Sequence, residues 1–212
     1  IIANHNRKTH SKDFTAMMCV SSVDMLIKYY ESFKSKNHNL KIATIFSYSA
    51  NEEDKDAKGE ITLDESEEML EKDIDISFDA SNANVNKHSR EKLDEFITDY
   101  NKIFGSKSST KDSQSFYNYY NDISKRVKQK EVDILLVVNM FLTGFDSKTL
   151  NTLYVDKNLK YHGLIQAFSR TNRILNDTKP YGNILDFRGH QELVNQAIAR
   201  FSGKSTKEPK EI

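Results

Sequence analysis

Val132-Asp133-Ile134-Leu135-Leu136-Val137-Val138 is a β-branched apolar run with no polar alternation from Ile134 to Val138. A strand with one wet face alternates apolar and polar residues. An unbroken run of this length instead implies a parallel strand buried on both faces. Outward from it, shorter runs of the same type recur with amphipathic stretches between them. Phe14 to Val20, Lys41 to Ser47, Leu153 to Val155 and Gly182 to Phe187 read as further strands. Ser21 and Ser22 can cap a helix whose apolar stripe is Val23, Leu26, Ile27 and Tyr30. Helical spacing also marks residues 89–104 (Leu93, Phe96, Ile97, Tyr100), 113–130 (Phe116, Tyr117, Tyr120, Ile123), 164–173 and 189–202 (Leu193, Val194, Ala197, Ile198, Phe201). Strands alternating with helices predict an α/β domain with a mostly parallel sheet. In such sheets ligands sit beyond the carboxyl ends of the strands, which directs attention to the residues after Val20, Ser47, Val138 and Val155.

The 212 residues suffice for one sizeable core, or one core plus an insertion, although only 37% of them are hydrophobic. The net charge of zero conceals an asymmetry. Residues 51–79 carry thirteen acids and three lysines, a charge of −10. The rest carries twenty-eight basic and eighteen acidic residues, a charge of +10. Residues 51–88 therefore read as a polar acidic insertion in a basic body, with Asp64 as the start of a short helix through Glu71. A basic body admits an anionic partner, though scattered lysines also simply keep a protein in solution. No apolar run approaches the ~18 residues that span a bilayer, so no membrane partner is expected. The single cysteine, Cys19, lies in an apolar run, reads as a buried small hydrophobe, and fits a reducing, cytoplasmic setting. The six histidines show no ligand spacing, so no metal site is expected. The chain begins with Ile1, which suggests a piece of a longer protein, and residues 203–212 form a charged tail expected to be disordered.

Two stretches carry residue types suited to chemistry. After the Ile134–Val138 strand comes Thr143-Gly144-Phe145-Asp146. Gly144 permits close backbone approach to a ligand, Thr143 offers a hydroxyl to a phosphate, and Asp146 could orient a ribose or a neighbouring arginine. The same residues also make an ordinary turn. About twenty residues later stands Gln166-Ala167-Phe168-Ser169-Arg170-Thr171-Asn172-Arg173. On a helix, Gln166, Arg170 and Arg173 fall at i, i+4 and i+7 on one face, with Leu164, Phe168 and Thr171 roughly opposite. Guanidinium forks in a row suit phosphate, and they also suit a solvated helix face.

In combination and in this order, the two stretches resemble motifs V and VI of superfamily-2 helicases, and Met17 to Ser22 stands where motif IV belongs. Thr143 to Lys157, Gln166 to Arg173 and Ile45 to Glu53 narrow the resemblance to the motor (R) subunit of type I restriction–modification enzymes, over about residues 3 to 202. Ser169 replaces the glycine that many helicases carry before the first motif VI arginine, which R subunits tolerate. The resemblance implies a second RecA-like motor domain over residues 1–202: a three-layer α/β domain with helices on both faces of the sheet and the insertion within it. It implies ATP with Mg²⁺ between two lobes, with Arg170, Arg173 and Gln166 in catalytic roles. Gly144 and Asp146 would meet the nucleotide, and Ser21, Ser22 and Thr143 would meet DNA phosphates. Implied partners are double-stranded DNA, the first RecA-like lobe and nuclease domain of the same subunit, and the methyltransferase and specificity subunits. The sequence holds no Gly-x-x-x-x-Gly-Lys-Thr phosphate loop and no Asp-Glu box, so this chain alone is expected to be inactive. Two other readings stay open: a non-catalytic Rossmann-like interaction domain, and the second lobe of another superfamily-2 helicase.

Overall fold

The computed structural model describes residues 1–46, 87–142, 144–159, 161–175 and 178–201. The elements run α1 (Ile2–Lys8), β1 (Thr15–Val20), α2 (Val23–Lys34), β2 (Ile42–Ile45), α3 (Lys87–Phe104), α4 (Ser113–Lys128), β3 (Ile134–Val137), β4 (Leu150–Asp156), α5 (Tyr161–Ser169), β5 (Asn183–Asp186) and α6 (Gln191–Phe201). They build a five-stranded sheet in the order β2-β3-β1-β4-β5, and every pairing is parallel. The α/β class expected from the alternation is the class observed. The Ile134–Val137 strand is internal, between β2 and β1, and every residue of β1, β2, β3 and β4 is buried. Strands buried throughout need cover on both faces. Right-handed crossovers supply it, because β1–α2–β2 and β4–α5–β5 travel in opposite directions across the sheet.

The core is filled by these strands and by helix stripes at the expected positions. Leu26, Ile27, Tyr30 and Phe33 of α2 are buried, and the Tyr30 ring stacks on Phe96 of α3 at 4.1 Å. Tyr119 of α4 is fully buried and its hydroxyl donates to the Thr44 carbonyl at 2.7 Å, while Tyr120 stacks on Phe141 at 4.5 Å. Two of the three tyrosines between 117 and 120 are thus packing residues, and Tyr117 alone of them is exposed. Cys19 is fully buried and free of any disulfide.

Four features differ from the sequence expectation. β4 is longer than Leu153–Val155, because Asn151, Thr152 and Asp156 are buried polar residues that a hydrophobic pattern skips. A short helix, α1, precedes β1. Its seven residues offer little apolar periodicity, and it is fixed instead by tertiary contact: the Lys8 carbonyl accepts from the Asn151 amide at 3.0 Å. The helix after the acidic segment begins by Lys87, inside the 51–88 stretch assigned to the insertion. The helix expected over 164–173 starts earlier and ends at Ser169. The rest of the acidic insertion, its proposed helix from Asp64 to Glu71, Thr143 and the 203–212 tail lie outside the described residues.

Candidate functional site

β4 leads away from a loop whose position is not the one implied by its place after β3. From Val138 the chain runs back along the sheet. Ser147 to Thr149 lie at the amino-terminal end of β4, where the Thr15 amide donates to the Thr149 carbonyl at 2.9 Å. Thr149 Oγ1 also donates to the Val127 carbonyl at 3.1 Å, which pins this segment to the end of α4. Phe145 is buried edge-on against Phe141 at 4.7 Å, with the Lys128 ammonium 5.5 Å from its ring centre. Gly144 has a φ of +65°, a left-handed conformation that glycine adopts without cost. Gly144 and Asp146 are exposed on either side of the Phe145 anchor.

α5 descends from the carboxyl edge of β4 toward this same loop. Its end is tightened by i→i−3 bonds from the amides of Arg170, Thr171 and Asn172 to the carbonyls of Ala167, Phe168 and Ser169. Arg170 and Arg173 therefore do not continue a helical row with Gln166, which is half-buried on the helix itself. Arg170 folds back over the helix end. Its Nε donates to the Gln166 carbonyl at 3.0 Å, Nη1 to the Phe145 carbonyl at 2.8 Å and Nη2 to Ser169 Oγ at 3.2 Å. A cation at the last carbonyls of a helix is favourable; three of the five guanidinium N–H groups are used, one on a helix carbonyl, one on the loop and one on a hydroxyl. Burial lowers the pKa of the guanidinium, and neighbouring Arg173 lowers it further against the opposing pull of Asp146. Arg173 is exposed and its Nε lies 3.2 Å from Asp146 Oδ1, an exposed ion pair. Asp146 thus lies beside an arginine, one of the two partners that the sequence suggested for it.

Two residues that no motif flagged hold this assembly. Lys179 is 2% exposed, and its Nζ donates to the carbonyls of Arg173 at 2.6 Å and Lys148 at 3.0 Å. It locks the arginine segment to the loop. Burial lowers its pKa to about 8, with Asp146 pulling weakly the other way. Gly182 approaches the Thr171 backbone and side chain so closely that a Cβ there would stand 2.3 Å from Thr171 Oγ1. Their only sequence signal is the Lys179-Pro180-Tyr181-Gly182 turn ahead of β5.

Ser21 and Ser22 are elsewhere. They follow Val20, which pairs with Asp156, at the carboxyl edge. β4 is seven residues long, so at about 3.3 Å per residue the serines and the Asp146–Arg173 pair are roughly 20 Å apart along the strands. Ser22 caps α2 by accepting from the Met25 amide at 3.2 Å. Ser21 Oγ is buried and has no hydrogen-bond partner among the described residues. The same edge carries an ion-paired strap. Asp156 accepts from Tyr29 Oη at 2.7 Å and Arg188 Nε at 2.6 Å, and His190 Nδ1 lies 2.7 Å from Asp186 while its Nε2 accepts the Leu159 amide. Each of Tyr29, Asp156, Asp186, Arg188 and His190 thus has a partner within the strap, which ties α2, β4 and β5 together. Among the described residues, no three His, Cys, Asp or Glu side chains gather as a metal site, and no helix is long and apolar enough to cross a membrane.

The endonuclease subunit of a type I restriction enzyme from Staphylococcus aureus (strain COL) is 43% identical over 207 residues, 95% of this chain and 20% of that protein. The corresponding subunit from Staphylococcus saprophyticus is 45% identical over the same span and share. The chain thus spans about a fifth of the length of the curated relatives it matches. Among solved structures, a DEAD-box protein of E. coli aligns over 93% of this chain and 98% of its own, at 9% identity and a TM-score of 0.31. The model of the family described as type I restriction enzyme subunit R domain 3 matches residues 12–189, which include β1 to β5, the loop from Gly144 and both arginines, and the chain belongs to that family.

Proposed function

We propose that this chain is the second RecA-like motor lobe of a type I restriction enzyme R subunit, working in ATP-driven translocation on double-stranded DNA before cleavage. The observation that carries the reading is the convergence of Gly144, Asp146, Arg170 and Arg173 on one edge of the sheet, where, among the described residues, two N–H groups of Arg170 have no partner and the Arg173 side chain makes an exposed ion pair. An exposed pair of this kind is worth about 0–1 kcal/mol, so a polyphosphate displaces it readily. MgATP is the substrate, and its metal arrives with the phosphates held by the first lobe. Against that substrate Arg173 swings from Asp146 to the γ-phosphoryl group. Arg170, already desolvated, donates its remaining N–H groups to a phosphate oxygen. Both stabilise charge that grows in the transition state. Gln166 orients water or phosphate, and Gly144 leaves the backbone open to the nucleotide. Ser21, whose buried hydroxyl has no partner among the described residues, the adjacent Ser22, and Thr143 contact DNA phosphates, which suits motion along a duplex independent of sequence. Partners follow from this role: the first lobe and nuclease domain of the subunit, and the methyltransferase and specificity subunits. The setting is cytoplasmic.

In the full-length subunit, Arg170→Ala or Arg173→Ala lowers DNA-stimulated ATP turnover by on the order of 10³ while DNA binding survives. Wild-type turnover in both variants refutes the assignment. The 212-residue chain by itself turns over no ATP, and measurable turnover by the pure chain refutes the two-lobe account.

A further inference from the structure

Beside the arginine cluster, on the same amino-terminal edge of the sheet, lies a concavity of about 400 Å³ between the end of α1 and the turn that enters β5. That volume is within the range of small-ligand sites. Its lining includes Arg7, Lys8, His10 and Lys179, together with Tyr181 and Asn183. No carboxylate is among its lining residues, and neither Arg7, Lys8 nor Lys179 makes an ion pair among the described residues. Lys179 is the telling member. A buried ammonium ordinarily has a carboxylate beside it, because taking an unpaired charge out of water is unfavourable. Here, among the described residues, the ammonium's hydrogen bonds go to two backbone carbonyls, which leaves one donor proton, and Asp146 offsets its charge only from a distance. Tyr181 is 71% exposed, an aromatic ring at the rim where a base or sugar would lie.

The backbone at the mouth is also specially shaped. His10, Ser11 and Lys12 are three successive non-glycine residues at φ of 50°, 58° and 71°. Left-handed conformations strain residues that carry a Cβ. Lys12 fixes the turn through Asp133 at 3.1 Å and the Asn39 carbonyl at 3.0 Å, and His10 packs edge-on against Phe14 at 5.3 Å. The carbonyl of Lys8 is held by the amides of Asn151 and Asn183, at 3.0 and 3.5 Å. Rigid strand residues therefore set the spacing of the basic side chains at the end of α1.

We infer that this pocket is a phosphate-binding site, separate from the Arg170–Arg173 cluster, that takes the phosphate of a nucleotide unit on Arg7, Lys8, His10 and Lys179. The inference goes beyond the motor reading and does not depend on it, since Arg7, Lys8 and His10 take no part in the arginine cluster. The phosphate has two possible sources, a free nucleotide and a DNA strand.

The test uses the 212-residue chain with two probes, pyrophosphate and a short DNA duplex. The Arg7→Gln/Lys8→Gln double variant removes two exposed or half-exposed charges without touching the core. It should weaken binding on the order of 10-fold and lower the salt slope of the duplex affinity by about 1–2, with an unchanged melting temperature. The control, Lys28→Gln/Lys36→Gln, removes the same charge from exposed positions that do not line the pocket and should leave both affinities as they were. Weakening for pyrophosphate alone assigns a free nucleotide phosphate. Weakening for the duplex, with or without pyrophosphate, assigns the DNA backbone. A second measurement follows Lys179 by NMR: pyrophosphate should raise its pKa above about 8, because the anion stabilises the ammonium. Equal weakening by the control variant, or unchanged affinities in the double variant with no movement of Lys179, overturns the proposal. Failure of the motor reading would show separately, as intact ATP turnover in Arg170→Ala and Arg173→Ala.

Discussion

Gly182 and Thr171 illustrate how little space separates the arginine segment from β5. A methyl group at residue 182 would meet Thr171 Oγ1 at 2.3 Å, its Cβ at 2.4 Å and its carbonyl oxygen at 2.7 Å. The backbone oxygen cannot rotate away, so Gly182→Ala forces the 171–173 segment outward. A cost of about 1–3 kcal/mol is expected, checked by urea unfolding. If the motor reading holds, ATP turnover of the full-length subunit falls with it, because the displaced 171–173 segment no longer presents Arg173 beside the 144–146 loop. A Gly182→Ala protein of wild-type stability would contradict the close contact. His5 makes the opposite case. It is fully buried, neither ring nitrogen has a hydrogen-bond partner among the described residues, and burial holds its pKa below 6.5. His5→Leu removes two unsatisfied polar atoms and should stabilise the protein at pH 6 by on the order of 1 kcal/mol in the same assay. Neither residue announces itself in the sequence, since a lone glycine and a lone histidine gain meaning only from what folds against them.

α2 and α5 differ in how their ends are specified. α2 begins where Ser22 takes the Met25 amide, a cap legible from Ser21-Ser22 ahead of an apolar stripe. Ser22→Ala should therefore cost about 1 kcal/mol, measured as a shift of the urea midpoint with an unchanged m-value. No shift would mean that burial of the helix, rather than the cap, fixes its start. α5 has no such signal at its far end. Gln166 to Arg173 can be drawn as a continuous helix, and the pattern of Leu164, Phe168 and Thr171 supports that drawing. The helix stops at Ser169 because Thr171 must be buried under Gly182 and the Arg170 guanidinium takes over the Gln166 carbonyl. These are contacts with β5 and the 144–146 loop. The sequence thus identified the arginines as a unit with the loop, while their arrangement as a folded-back pair, rather than a helix face, came from tertiary packing.

Across the whole molecule, buried titrating groups define a pH window. His5 has a folded pKa below its unfolded value of 6.5, so the unfolded chain binds the extra proton and stability falls as pH drops through 6.5. Lys179 is likewise lowered, from 10.5 to about 8, so its burial cost is fully present below pH 8 and is relieved as pH rises toward 10.5. Tyr29 and Tyr154 are raised from 10.0 to about 12, chiefly by burial, so the unfolded chain ionises first and stability falls above pH 10. Unfolding free energy is expected to climb from pH 6 to about 9 and decline beyond 10. His5→Leu should flatten the acid limb, and an unchanged limb in that variant would assign it elsewhere. The amino-acid sequence by itself determined the α/β class, the strand sequence, the pairing of a Gly144–Asp146 loop with Arg170 and Arg173, and the family resemblance. These are local patterns: apolar runs, helical spacing and short motifs that neighbours in the chain define. Only the tertiary structure decided that the loop returns to the amino-terminal edge, roughly 20 Å along the strands from Ser21 and Ser22, and that Lys179 and Gly182 hold the arginines in place. Those facts depend on contacts between segments that are distant in the chain, where burial and hydrogen-bond satisfaction outweigh local propensity.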